Sequence, residues 1–119
     1  MARSIEETLQ RLSESDFRAS FHLTKKEKEY VREKGMDVIE RHTRDFIDNK
    51  IGTAYPINDG KQTPMKGHPT FKAMHACACC CRGCLNKWYK VEIGKELNEV
   101  QKDKIAHLLM AWIDKEMNR

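Results

Sequence analysis

The chain has 119 residues, 39% of them hydrophobic and 34% charged, with a formal net charge of +4. That length predicts one domain over residues 1–119 with a modest core. No apolar run reaches the roughly 18 residues of a membrane span, which excludes an integral helical membrane protein.

The predicted elements are helices. Ser4 and Glu7 form a capping-box pattern, followed by Ile5, Leu9 and Leu12 at helical spacing. Thr24 and Glu27 open a second, short helix that Gly35 can close. A third is expected from Met36 to Lys50, with Ile39, His42, Phe46 and Ile47 on one face and Gly52 at its end. A short helix should start at Pro69, and another should run from the cysteine segment to about Lys90. Asn98 and Gln101 cap a long last helix whose Ile105, Leu108, Leu109, Trp112 and Ile113 face inward. With no strand pattern, the expected fold is an all-α, small single-domain helical bundle.

Residues 52–69 interrupt this pattern with three prolines and three glycines, and Asn58, Asp59 and Gly60 signal a turn. A connection of that length without periodicity is commonly functional. Asn58, Asp59, Lys61 and Gln62 are therefore the candidate ligand-binding residues, for an unknown small molecule or anion. Charge is also unevenly spread. Residues 1–51 carry eleven basic and eleven acidic side chains, whereas residues 52–95 carry seven basic and only Asp59 and Glu92. A positive field there lowers thiol pKa values and attracts anions.

All five cysteines lie in the same basic segment: Cys77, Cys79, Cys80, Cys81 and Cys84. Cysteines this close cannot frame a disulfide-stapled domain, and five leave one over. The clustered thiols, with no apolar secretion signal in the first residues, predict a reducing, cytoplasmic location. At helical spacing Cys81, Cys84, Leu85 and Trp88 share one face, with Cys80 one turn from Cys84. Cys81 and Cys84 can give two sulfurs to one ion. His75 lies six residues upstream and His68 at the mouth of the loop, with Cys80 or His42 as alternates.

Several motifs stand together: residues 58–65, Gly67, His68 and Pro69, His75 and Ala76, Cys80 to Leu85, Lys87 and Trp88, and Met110 to Ile113. In these the chain resembles the family called domain of unknown function 4186, over nearly its whole length. The resemblance implies a short soluble protein and no particular activity. It implies threonine at positions 77 and 79 and histidine at 89, where this chain has Cys77, Cys79 and Tyr89. It carries over His68, His75, Cys80, Cys81 and Cys84, which span a Cys/His motif over residues 68–88.

Four functions remain open at this level. The first is a zinc site with His68, His75, Cys81 and Cys84 as ligands and Cys80 as alternate. The second is a cysteine-dependent enzyme, redox or nucleophilic, whose loop 58–63 holds substrate. The third is a metal-free helical domain with buried thiols. The fourth, not favoured, is weak binding of nucleic acid or anions by the spread lysines around Trp88 and Tyr89.

Overall fold

The computed structural model describes residues 3–119, and among these it has helices and no strand. Seven α-helices follow one another: α1 (Ile5–Ser13), α2 (Asp16–Ala19), α3 (Lys25–Lys34), α4 (Met36–Phe46), α5 (Pro69–Ala76), α6 (Arg82–Tyr89) and α7 (Glu99–Met117). No helix among the described residues is long and apolar enough to cross a membrane.

Local chemistry sets most helix starts. Reciprocal capping boxes at Thr24/Glu27 and Asn98/Gln101 satisfy the free backbone donors of α3 and α7. Ser4 caps α1, but the buried face of that helix carries Thr8 and Leu12, while Ile5 stays 40% exposed. Thr8 can turn inward because its hydroxyl donates to Ser4 O at 2.9 Å. α2 is a one-turn helix that periodicity does not announce; Ser15 caps it.

The helix expected over residues 36–50 changes character at its end. After Phe46 the last turn widens into a π-helical turn, Ile47–Ile51, closed by Gly52 N donating to Ile47 O at 2.8 Å. The widening buries Ile47 and Ile51 together. It also brings the chain close to itself: a Cβ at position 52 would lie 2.9 Å from Asp48 O, so glycine is required.

α7 is the central element, packing against α1, α4 and α5, and α5 in turn touches α2, α3 and α4. Ile105, Leu108, Leu109 and Ile113 of α7 are buried against Ile39, Met74 and Leu85 in one continuous core. Pro69 stands at the first turn of α5, preceded by His68, whose Nδ1 accepts from Thr70 N at 3.0 Å.

Two irregular segments are held by one side chain. Arg82 is 1% exposed, and its guanidinium donates to Ile51 O and Thr53 O on one side and to Glu92 O (2.8 Å) and Lys95 O (2.7 Å) on the other. Replacing it with alanine would remove the donor from four carbonyls and leave a cavity at a nearly fully buried position, and lysine cannot span both segments from a single nitrogen. Arg82→Ala should lower unfolding stability by at least about 3 kcal/mol in urea titrations, and Arg82→Lys should recover only a minor part.

His68 gives the fold a pH dependence. Burial, and then the neighbouring His42, hold its pKa down at about 4 against an ordinary 6.5. The unfolded chain therefore takes up this proton below pH 6.5, while the folded chain resists until about pH 4. Stability present above that window is lost as pH falls through it, by about 3 kcal/mol at most and, with solvent screening of this half-buried ring, on the order of 2 kcal/mol. His68→Asn keeps a cap acceptor without the titration. It should flatten this part of the stability profile relative to the parent, as read by denaturation at several pH values.

Candidate functional site

The site begins where α5 ends. Cys77 N donates to Ala73 O, Ala78 N to His75 O and Cys79 N to Met74 O. Ala78 itself takes a left-handed conformation (φ 57°). This is a Schellman-type helix end with alanine where glycine is usual, a conformation unfavourable by roughly 1–2 kcal/mol and fixed here by complete burial. The reversal delivers the next residues, Cys80 and Cys81, onto the start of α6.

Cys81 is not inside α6, as the spacing suggested, but is its N-cap: its sulfur accepts from Cys84 N at 3.3 Å. Cys80 Sγ donates to Cys84 Sγ at 3.6 Å. The three sulfurs of Cys80, Cys81 and Cys84 lie within 4.8 Å of one another, the one such metal-sized group of Cys, His, Asp or Glu side chains among the described residues. Cys80 and Cys81 are buried and Cys84 is half-buried. Cys77 and Cys79 are fully buried in the core beside this group, with burial pushing both thiols up toward the neutral form.

A buried arginine closes the cluster from the opposite side. Arg18, on α2, donates through one nitrogen to His75 O at 2.7 Å and to Cys80 Sγ at 3.8 Å, and through the other to Cys84 Sγ at 3.3 Å. Its guanidinium lies 5.0 Å from the Phe17 ring centroid and 5.9 Å from that of Trp88. Burial pulls the Arg18 pKa down, but bonds to Cys84 and Cys80 outweigh it and the pKa is raised. The three thiols are pushed apart in acidity. Cys84 is held at about 5 by the thiol bond from Cys80 first, then by Cys81 and Arg18, against the effect of burial. Cys80 rises because it gives its hydrogen to Cys84 and is buried; Cys81 rises chiefly through burial. The arrangement stores negative charge on the half-buried sulfur facing the guanidinium.

The expected ligand loop packs onto this cluster. Thr63 donates to Cys80 O at 2.7 Å, and Asp59 accepts from Arg82 N at the first turn of α6, at 3.1 Å. Gln62 bridges Asp59 and Gly60 N, while Asn58 holds a positive φ and its carbonyl takes Lys61 N. These side chains thus brace the turn and the start of α6; Lys61 is exposed.

The two histidines stand outside the sulfur group. His75 stacks on Phe21, with ring centroids 5.6 Å apart, and its Nε2 lies 3.1 Å from both Thr63 O and Pro64 O. Between two carbonyls that nitrogen carries the hydrogen. His68 Nδ1 accepts from Thr70 N, so its Nε2 carries the proton and donates to His42 Nδ1 at 3.1 Å. Both nitrogens of His68 are engaged, in a nest formed by Tyr30, Phe46 and Phe71. Tyr89, at the position where the family resemblance implies histidine, donates to Cys77 O.

Arg18 is the site residue that sequence reasoning missed. The local signal was Ser15 and Asp16, a cap pattern announcing the turn that carries it. Nothing local announces its burial, since its partners lie 57 to 66 residues further on.

No solved structure matches the chain. A family model matches residues 6–114. With the helical fold and the cysteine motif both inside that span, the chain belongs to the family described as domain of unknown function (DUF4186).

Proposed function

We propose that Cys80, Cys81 and Cys84 bind a zinc ion through three thiolates, leaving its fourth position to a small exogenous ligand. The observation that carries this reading is the convergence of three sulfurs, with Cys80 and Cys84 3.6 Å apart. Tetrahedral zinc with sulfur bonds of 2.3 Å separates its ligands by about 3.8 Å. Two further features support it. A neutral thiol is a weak acceptor, whereas a metal-bound thiolate suits the capping bond from Cys84 N to Cys81. Three thiolates on a divalent ion leave one negative charge, which Arg18 offsets while orienting two of the sulfurs.

His68 and His75 are left out of the proposed ligand set because neither lies in the sulfur group, and both nitrogens of His68 and Nε2 of His75 are hydrogen-bonded. Zinc with an open position polarises a bound carbonyl or acidifies a bound water. The residues of this chain that would act around it are Arg18, which holds negative charge near Cys84, and Asp59, whose turn fixes the start of α6.

A second reading, thiol–disulfide exchange, is favoured by the closeness of Cys80 and the half-exposed Cys84. There the Cys84 thiolate attacks a low-molecular-weight disulfide and releases one thiolate. Cys80, losing its proton, then displaces the second thiol and forms the Cys80–Cys84 bond.

Elemental analysis of protein purified without added metal, with thiol titration of native and unfolded chains, separates the two. About one zinc per chain is expected. Cys81→Ser and Cys84→Ser should lose metal and thermal stability together, since metal binding there is folding energy. Cys79→Thr should keep the metal. Metal loss from Cys79→Thr equal to that from Cys84→Ser would overturn the ligand assignment. A metal-free chain with a reversible Cys80–Cys84 disulfide would select the exchange reading.

A further inference from the structure

A groove of about 470 Å³ runs between α1 and α2 on one side and the last turns of α7 on the other. Its floor is apolar: Leu9, Leu12, Phe21, Ala76 and Trp112 line it. That volume and lining fall in the range of small-molecule sites. Arg18 and Lys115 also line it, and neither forms an ion pair with a carboxylate among the described residues. The acid in the groove, Glu116, is spoken for: one oxygen is 3.1 Å from His22 Nδ1 and the other accepts from Leu23 N at 2.9 Å. The groove therefore presents positive charge above an apolar floor, with its own carboxylate turned into the fold.

We propose that this groove binds a small organic carboxylate, its acyl or aryl body on the apolar floor and its carboxylate toward Arg18 and Lys115. Arg18 gives three of its five N–H donors to His75 O, Cys80 Sγ and Cys84 Sγ, so two remain to meet a carboxylate beside Lys115. A neutral apolar molecule would gain only the floor, and a cation would meet two like charges. The proposal does not depend on a metal at the thiols, yet the two sites share a residue. Arg18 lines the groove and also donates to Cys80 and Cys84, so a carboxylate bound beside it lies next to the thiol cluster. The groove would then supply the recognition for chemistry at those sulfurs.

The test is an NMR titration of the isotope-labelled full chain with 4-phenylbutyrate and with the neutral 4-phenylbutan-1-ol. The carboxylate should give saturable shifts at Ala19, Phe21 and the Trp112 indole, and the alcohol should bind at least about tenfold more weakly. Lys115→Glu, at an exposed position, should weaken 4-phenylbutyrate severalfold and leave the alcohol unchanged. Ala19→Phe, which fills the exposed lip of the groove, should abolish binding of both. Equal affinity for acid and alcohol would overturn the proposal, as would shifts that fail to saturate below about 10 mM. So would indifference of 4-phenylbutyrate binding to either substitution.

Discussion

A buried guanidinium whose two terminal nitrogens are held by backbone carbonyls is the interaction on which the irregular half of this protein depends. Arg82 sits at the first turn of α6 and reaches carbonyls on both sides of the chain, at Ile51 and Thr53 and at Glu92 and Lys95. Its own backbone N–H is taken by Asp59. One residue thus fixes the end of the π-helical turn, the connection into α7, the turn at residues 58–62 and the start of α6. The thiol cluster is built on that start. Carbonyls suit this task because they stabilise the charge without the desolvation of a second ion.

Arg18 repeats the device on the other side of the cluster. It takes the carbonyl of His75 at the end of α5, where the helix dipole is negative, and turns two further donors to the sulfurs of Cys80 and Cys84. A strained helix end at Ala78, a helix start capped by Cys81 and a guanidinium from α2 therefore meet within one small volume. Buried structural cysteines need none of these. Cys77 and Cys79, a few residues away, lie in the same core with no guanidinium hydrogen bond to either sulfur and with pKa values raised by burial, whereas in the cluster Cys84 is held low. The contrast within one short stretch separates thiols that pack from thiols equipped to carry charge.

The histidines illustrate how tertiary partners settle what a side chain can do. His68 and His75 have the composition of metal ligands, and their spacing is compatible with the motif. Yet a backbone N–H at Nδ1 of His68 and two carbonyls at Nε2 of His75 assign each ring a structural task. His68 caps α5 and joins His42 in an aromatic nest; His75 ties the loop at Thr63 to the helix before the cysteines.

Periodicity and capping chemistry in the sequence were enough to find the helical class, α3, α7 and the start of α5, because each rests on contacts within a few residues. Thr24 with Glu27 and Asn98 with Gln101 complete their bonds inside one turn. The cysteine cluster was visible from residue type alone, and so was the long irregular connection before α5. What the sequence could not decide is whatever depends on distant partners. The π-helical end of α4 is stabilised by burying Ile47 and Ile51 together, and the inward face of α1 by a hydroxyl bond at Thr8. The convergence of Cys80, Cys81 and Cys84, apart from the histidines, follows from a chain reversal at Ala78. Arg18 enters the site from 57 to 66 residues away. Local hydrogen bonds are written in neighbouring residues; buried charge and sulfur geometry are fixed only when the helices close around them.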